Sequence, residues 1–160
     1  MLGCNLRNKA IGSDTFFPEL LYAAGDVKPD IITVSYGAND WNTHTRERLI
    51  VSGYAFFEKL VQKYPGAKIF AFTPIWRGDG DRETPFGAPQ SAVGEVIRSF
   101  CEGLPVTVID GLPLAPHCSD FYSDHYLHPN DLGFCVLASG FYSEISKHLQ
   151  NSPGPVSTIG

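Results

Sequence analysis

The chain has 160 residues, of which 43% are hydrophobic and 18% are charged, enough for one domain with a sizeable core. The formal net charge is −5 and the twelve Lys and Arg residues are scattered, which argues against nucleic acid as a partner. No apolar run reaches the length of a membrane span, and the first residues lack the layout of a secretory signal.

Four cysteines, Cys4, Cys101, Cys118 and Cys135, lie far apart in the sequence and form no Cys-x-x-Cys pair. This spacing indicates neither a zinc ribbon nor a disulfide framework. We interpret the four residues as reduced thiols, and on that basis we expect a cytoplasmic protein.

Short apolar runs alternate with helical patterns in the first half of the chain. Leu6 to Ile11 is predicted to be a short strand. Ile31 to Tyr36 is predicted to be a buried strand, because it is β-branched and apolar on both faces. Thr45 is suited to cap a helix from Arg46 to Tyr64, whose apolar residues recur at helical spacing.

The same alternation continues in the second half. Lys68 to Thr73 is a predicted strand, Ser91 to Cys101 a helix, Val106 to Ile109 a strand, and the last helix opens at Pro129-Asn130-Asp131 and reaches about Gln150. Between these elements, Pro74 to Pro89 contains three Pro and three Gly residues and follows no regular pattern. Loops of this length in a compact domain are usually functional lids or disordered.

Strands that alternate with helices predict a parallel sheet between helical layers, a three-layer α/β/α sandwich. We expect residues 1–150 to form this one domain and residues 151–160 to form a flexible tail. Such sheets place their sites beyond the carboxyl ends of the strands. Residues that directly follow a predicted strand are therefore the first candidates for a site.

Two segments carry the most informative side chains. Pro29 to Asn42 (PDIITVSYGANDWN) delivers Asn39 where a buried strand should end, and Asp124 to Phe134 (DHYLHPNDLGF) places His128 ahead of a helix start. Together they resemble the SGNH (GDSL-like) hydrolases, serine esterases whose third block reads Gly-x-Asn-Asp and whose last block reads Asp-x-x-His-Pro. Residues 37–40 match the third block fully, and His128-Pro129 matches the end of the last.

This resemblance implies a flavodoxin-like fold, hydrolysis of a carboxylic ester and no cofactor. It implies that the Asn39 side chain and the Gly12 backbone N–H hold the oxyanion of the reaction, since Asn8 to Ser13 looks like the second block of the family. The family carries its nucleophile in a Gly-Asp-Ser block on the first strand, and no such tripeptide occurs in this sequence. We therefore expect a family member that lacks the first strand and the serine.

His128 is the candidate general base, because an imidazole titrates near neutral pH and can take a proton from a hydroxyl. The family Asp stands three residues before the histidine, but His125 occupies that position here and Asp124 stands four before. A bulge of one residue would bring Asp124 onto the imidazole. A second interpretation of His125, His128 and Asp124, with His117-Cys118, is a set of metal ligands in a metal-dependent hydrolase.

Trp41, Trp76, Arg77 and Tyr126 flank the predicted site and are candidates for substrate binding. The aromatic residues are suited to an acyl pocket or a sugar platform, and Arg77 to an anionic group, although each fits plain packing or surface equally well. We expect a small ester, acyl or acetylated sugar, as the partner, and a homo-oligomer stays open. The alternative hypothesis is a catalytically inactive member that acts as a binding or scaffold domain.

Overall fold

A computed structural model describes residues 3–23 and 27–150, so the expected tail at 151–160 lies outside the described residues. In chain order the regular elements are β1 (Ile31–Val34), α1 (Ala38–Thr43), α2 (Arg46–Lys63), β2 (Lys68–Phe72), α3 (Val93–Cys101), β3 (Val106–Ile109) and α4 (Asp131–Gln150). Short 3-10 segments lie at Pro18–Ala23, Gln90–Ala92, Leu112–Leu114 and Ser119–Phe121.

The three strands form one parallel sheet in the order β1-β2-β3. Ile31 pairs with Lys68, and Ile69 pairs with Val106, which fixes the register of both ladders. Helix α2 connects β1 to β2, and α3 connects β2 to β3. Crossover connections between parallel strands are nearly always right-handed. Since both connections run in the same direction across the sheet, α2 and α3 lie on the same face of it.

The two faces of the sheet bury separate apolar clusters, as expected from the alternation of side chains along a strand. Val34 and Ile69 belong to the cluster that includes buried residues of α2 and α3. On the opposite face, Phe70 and Phe72 pack with residues of α4, and the Phe72 ring stacks on that of Phe141 at 4.0 Å between centroids. Helices therefore cover both faces, and the predicted α/β/α sandwich with a parallel sheet is confirmed.

Most of the predicted elements form, because their sequence signals agree with the tertiary packing. The Thr45 hydroxyl accepts a hydrogen bond from the backbone N–H of Arg48 at 3.3 Å and caps α2 as expected. Strand β3 has the predicted bounds, and α4 begins at Asp131 and ends at Gln150. No helix or strand forms within the loop from Pro74 to Pro89.

The predicted strand from Leu6 to Ile11 is wrong. Within residues 3–23 the structure contains no strand, and Leu6 and Ile11 are 86% and 58% exposed. A strand needs a neighbour for its N–H and C=O groups and a face to bury, and the polar run Arg7-Asn8-Lys9 offers no buried face. The sheet consequently ends at β1, whose outer edge has no strand partner among the described residues.

Strand β1 is shorter than predicted, because the chain turns at Gly37 and enters α1, a helix that the sequence did not indicate. Gly37 has φ 106°, a backbone conformation that favours glycine. A side chain there would also lie 3.1 Å from those of Val93 and Ile97, so α3 packs directly on this turn. The close approach brings the start of α1 against the core.

Candidate active site

Asn39 lies in the first turn of α1, directly beyond the carboxyl end of β1. Its Nδ2 donates a hydrogen bond of 2.9 Å to the backbone carbonyl of Asp14. A carboxamide nitrogen carries two hydrogens, and the second one has no partner in the described part of the chain. One N–H of Asn39 is therefore available to a ligand oxygen.

The segment that Asn39 contacts begins with a tight turn from Ile11 to Asp14, closed by a hydrogen bond of 3.3 Å from Asp14 N to Ile11 O. Ser13 has φ 64°, a conformation that usually selects glycine in such turns, so the strained residue is Ser13 rather than Gly12. Neither the Gly12 nor the Ser13 backbone N–H is paired with another described residue. Both N–H groups are candidates for binding an anionic oxygen.

Tyr36 joins the same two segments. Its hydroxyl donates to Oδ2 of Asp14 at 3.2 Å, next to the bond between Asn39 and the Asp14 carbonyl. Burial raises the pKa of Tyr36 to about 12, and the negative charge of Asp14 and the hydrogen bond to it act in the same direction. The phenol therefore stays protonated and remains a donor at physiological pH.

Asp124 and His128 contact each other directly. Oδ2 of Asp124 lies 2.6 Å from Nδ1 of His128, while its Oδ1 accepts from the backbone N–H groups of Tyr126, Leu127 and His128 at 3.1, 2.7 and 3.0 Å. His125 has φ 66°, so it is the extra residue that lets a four-residue spacing reach the imidazole. The predicted bulge is thus a single left-handed residue.

The electrostatics of this pair fix the tautomer of the imidazole. Loss of hydration raises the pKa of Asp124, but the N–H groups of Leu127, His128 and Tyr126 and the His128 ring outweigh it, and the pKa is lowered. The ionised carboxylate accepts from Nδ1–H, which leaves Nε2 as the basic nitrogen. The His128 side chain is 72% exposed, so Nε2 is accessible to a reactant.

The long loop from Pro74 to Pro89 bridges the two halves of the site. Nε1 of Trp41, on α1, donates to the carbonyl of Ala88 at 2.9 Å. At the other side of the loop, the Gly78 N–H donates to the carbonyl of Tyr126 at 2.7 Å, in the segment that holds His128. The loop is therefore fixed between the Asn39 helix and the His128 segment, and both follow carboxyl ends of strands.

Two of the four candidate substrate residues are buried in this bridge. Trp41 has no exposed surface, and the guanidinium groups of Arg77 and Arg82 lie 4.8 and 5.0 Å from its ring centre. Arg77 is buried and donates two hydrogen bonds to Asp79, from Nε at 2.5 Å and Nη2 at 2.8 Å. In this structure Trp41 and Arg77 hold the loop.

Trp76 and Tyr126 are more accessible. The indole of Trp76 stacks on the ring of His117 at 5.9 Å between centroids and packs against Tyr122 at 5.0 Å. Tyr126 is 42% exposed, in the same loop as His128. Trp76 and Tyr126 therefore stay candidates for substrate binding.

The residues that connect the site were missed from the sequence. Asp14, Tyr36 and Asp40 join the two segments, and contacts between positions 14 and 36–40 follow no sequence period. A signal existed only for Asp40, which is part of the Gly-x-Asn-Asp block. Where the structure describes the chain, no group of three or more His, Cys, Asp and Glu side chains is placed to hold a metal ion, and no helix has the length and apolar character of a membrane span.

The cysteines form no disulfide. Cys101 is buried, and burial raises the pKa of its thiol to about 12. Cys4, Cys118 and Cys135 are exposed. None of the four belongs to the groups that surround Asn39 or His128.

A family model described as "GDSL-like Lipase/Acylhydrolase family" matches residues 2–134. Solved structures with a similar fold include a lipase/acylhydrolase from Enterococcus faecalis, at 22% identity and a TM-score of 0.61, covering 85% of this chain and 72% of that one. No significant match was found among curated protein sequences.

Two further structures are esterases. A carbohydrate esterase family 3 protein from Talaromyces cellulolyticus has 21% identity and a TM-score of 0.61, over 78% of this chain and 61% of that one. An acetyl esterase mutant with serine replaced by alanine, solved with an acetate ion, has 22% identity and a TM-score of 0.61, over 76% and 59%. The chain therefore spans about three fifths of the length of these two proteins. At such identities the likeness shows the fold alone.

Proposed function

The chain belongs to the GDSL-like lipase/acylhydrolase family, and from this premise we propose that its site serves the hydrolysis of a small carboxylic ester. The observation that carries the proposal is the contact of 2.6 Å between Asp124 and His128, which leaves Nε2 of the imidazole as an accessible base. Acyl transfer to a hydroxyl requires such a base.

Each group has a defined role in the proposed reaction. Nε2 of His128 takes the proton of a hydroxyl whose oxygen attacks the ester carbon, and Asp124 orients the imidazole and stabilises its cationic form. The carbonyl oxygen becomes negative and is held by the free N–H of Asn39 and the N–H groups of Gly12 and Ser13. The tetrahedral intermediate then expels the alcohol, which takes the proton back from Nε2, and leaves the acyl group on the attacking oxygen. Water, which gives a proton to Nε2, attacks this acyl group in the same way; the carboxylic acid leaves and the hydroxyl recovers its proton.

The hydroxyl itself is not assigned to a residue of this chain, because the sequence contains no Gly-Asp-Ser block. Ser13 lies on the turn whose N–H groups are proposed to hold the oxyanion, and Ser35 directly follows β1, so neither takes the place of a nucleophile on a first strand. The hydrolytic proposal therefore concerns the base and the oxyanion donors, and applies to turnover when a nucleophile is supplied.

For the substrate class, we propose an acyl ester or an acetylated sugar, with Trp76 and Tyr126 as the aromatic platform. The carbohydrate esterase and the acetyl esterase among the similar structures support this choice.

The second candidate function is binding without catalysis, and the missing Gly-Asp-Ser block favours it. One similar structure is an acetyl esterase with a serine replaced by alanine, solved with an acetate ion, which supports acetate as a test ligand for this fold. In this second function the chain acts as a binding or scaffold domain for carboxylates or esters.

Titration with sodium acetate, followed by ¹H–¹⁵N NMR, tests the site that both candidate functions share. We expect saturable shifts of the Asn39 side-chain amide and of the Gly12 and Ser13 backbone amides. Asn39→Ala should abolish the binding, whereas Gln62→Ala, at an exposed position of α2, should retain it. Shifts that are absent, or that persist equally in Asn39→Ala, would count against the proposed site.

A further inference from the structure

Asp40 is a carboxyl group with no exposed surface, and it directly follows Asn39. Its two oxygens lie 3.2 and 3.4 Å from the backbone nitrogen of Phe16, and Nδ1 of His44 lies 3.5 Å from Oδ1. Burial raises the pKa of Asp40, and the hydrogen bond from Phe16 and the nearby His44 only partly offset this effect. Burying a carboxyl is costly, so its role must be sought in the backbone it holds.

The backbone that Asp40 holds is the one that contacts Asn39. Asp14, two residues before Phe16, accepts the hydrogen bond from Nδ2 of Asn39. A backbone carbonyl can only accept, so the NH₂ end of the carboxamide must face it. Rotating the carboxamide by half a turn would place Oδ1 of Asn39 against the carbonyl oxygen of Asp14, which is repulsive. The position of the Asp14 carbonyl therefore selects which end of the amide is presented.

We infer that Asp40 is a positioning residue: by fixing the N–H of Phe16, it keeps the Asp14 carbonyl where that carbonyl orients the Asn39 carboxamide. The inference rests on the proposed function, because the orientation matters for an oxyanion, which an N–H stabilises and Oδ1 would repel. Asp40 itself is fully buried and touches no reactant.

The aromatic core holds the same segment independently of Asp40. The ring of Phe16 makes edge contacts with those of Tyr36, Phe56 and Phe100, at centroid distances of 5.4, 5.6 and 5.6 Å. We therefore expect an Asp40→Ala chain to fold with Phe16 still in the core. What it loses is the constraint on the backbone between Asp14 and Phe16.

The test uses the side-chain amide of Asn39 in ¹H–¹⁵N spectra, assigned by its disappearance in Asn39→Ala. In Asp40→Ala, solvent exchange of the bonded Asn39 N–H should rise by about tenfold, the loss of one hydrogen bond. Asp40→Asn should keep the wild-type exchange, because its Oδ1 still accepts from Phe16. Ile145→Ala, a buried position on the opposite face of the sheet, controls for general destabilisation and should not change it.

Unchanged exchange of the Asn39 N–H in folded Asp40→Ala would overturn the inference. If that variant does not fold, hydrogen exchange in the wild-type protein decides. The backbone N–H of Phe16 and the bonded side-chain N–H of Asn39 should then exchange with solvent through the same local opening. An Asn39 N–H that exchanges freely while the Phe16 N–H stays protected would overturn the role of Asp40. Acetate should bind about tenfold more weakly to Asp40→Ala. Equal acetate affinities of wild type and Asp40→Ala would contradict the inference. If wild-type protein binds no acetate, the proposed function is contradicted, and the exchange of the Asn39 N–H alone decides the role of Asp40.

Discussion

The carboxylate of Asp124 bonds the imidazole of His128 at 2.6 Å across a spacing of four residues, and His125 takes up the additional residue with φ 66°. The same carboxylate accepts three backbone N–H groups, so it organises its own loop as well as the histidine. Stability, loop geometry and catalysis can therefore be tested separately at this point.

Asp124 should make the free energy of unfolding depend on pH. Its pKa in the folded chain is lowered below the unfolded value of about 3.9, so its contribution is fully present above that pH and is lost as the pH falls toward the folded pKa. Asp124→Asn should therefore be less stable than wild type at pH 7, with a difference that shrinks below pH 4. Urea unfolding at both pH values measures this, and Asp81→Asn, at an exposed position, serves as control. A difference in unfolding free energy between wild type and Asp124→Asn that does not change with pH would contradict the lowered pKa of Asp124.

The left-handed residue His125 should tolerate glycine and reject a β-branched side chain. His125→Gly should leave the contact between Asp124 and His128 intact, because glycine adopts positive φ freely. His125→Val should cost about 1 to 2 kcal/mol and displace the loop. Thermal unfolding and the ¹⁵N shifts of the His128 ring report both effects. Equal behaviour of the two variants would show that the bulge is not needed.

The 160-residue chain alone should not hydrolyse p-nitrophenyl acetate by a serine mechanism, since removing a triad nucleophile costs orders of magnitude in rate. Any slow release of nitrophenol should be unchanged in Ser13→Ala, and in His128→Ala it should fall by no more than the contribution of one accessible imidazole. Steady-state assays over a range of ester concentrations check this. Robust turnover that His128→Ala abolishes would contradict the expectation and require another hydroxyl as nucleophile, for which Ser13 is the first to examine.

Asn39 should act mainly on the transition state in a chain extended with a strand that carries a Gly-Asp-Ser block. Asn39→Ala should then lower kcat by about 10²- to 10³-fold and leave KM almost unchanged, because the N–H gains most when the oxygen becomes negative. Asn39→Asp should be no better, because a carboxylate repels the developing charge. Steady-state kinetics of the extended chain and its Asn39 variants measure this effect. A wild-type kcat in Asn39→Ala would contradict the role of Asn39 as an oxyanion donor.

The sequence was sufficient where one local signal and the tertiary packing agreed. β3 was predicted to the residue, because Val106 to Ile109 is a β-branched run with clear ends. The start of the last helix was predicted at Pro129-Asn130-Asp131, and α4 begins at Asp131. The resemblance to GDSL-like hydrolases, carried by residues 37–40 and 128–129, is confirmed by the family model. The strand from Leu6 to Ile11 failed because strand formation depends on a partner that the sequence does not display.

The site could be predicted only in part for the same reason. Asn39, His128 and Asp124 were proposed as site residues from their motifs, but the partner of Asn39 depends on a contact between distant segments. The bond from Asn39 to the Asp14 carbonyl spans 25 residues, and the burial of Trp41 depends on where the loop from Pro74 to Pro89 folds back. Whether an aromatic residue faces a ligand or anchors a loop is decided by that packing.

Among the residues that the structure describes, no strand pairs with the outer edge of β1, and an edge of this kind affects how a chain behaves in a crowded solution. The four residues of β1, Ile-Ile-Thr-Val, carry no charge, no proline and no bulge, the devices by which sheets keep foreign strands away. Short, neutral, β-branched segments with an open edge are templates for aggregation. A lysine at the exposed position of Thr33 would act as a gatekeeper there, so the chain carries within its sheet a solubility liability that one substitution can address.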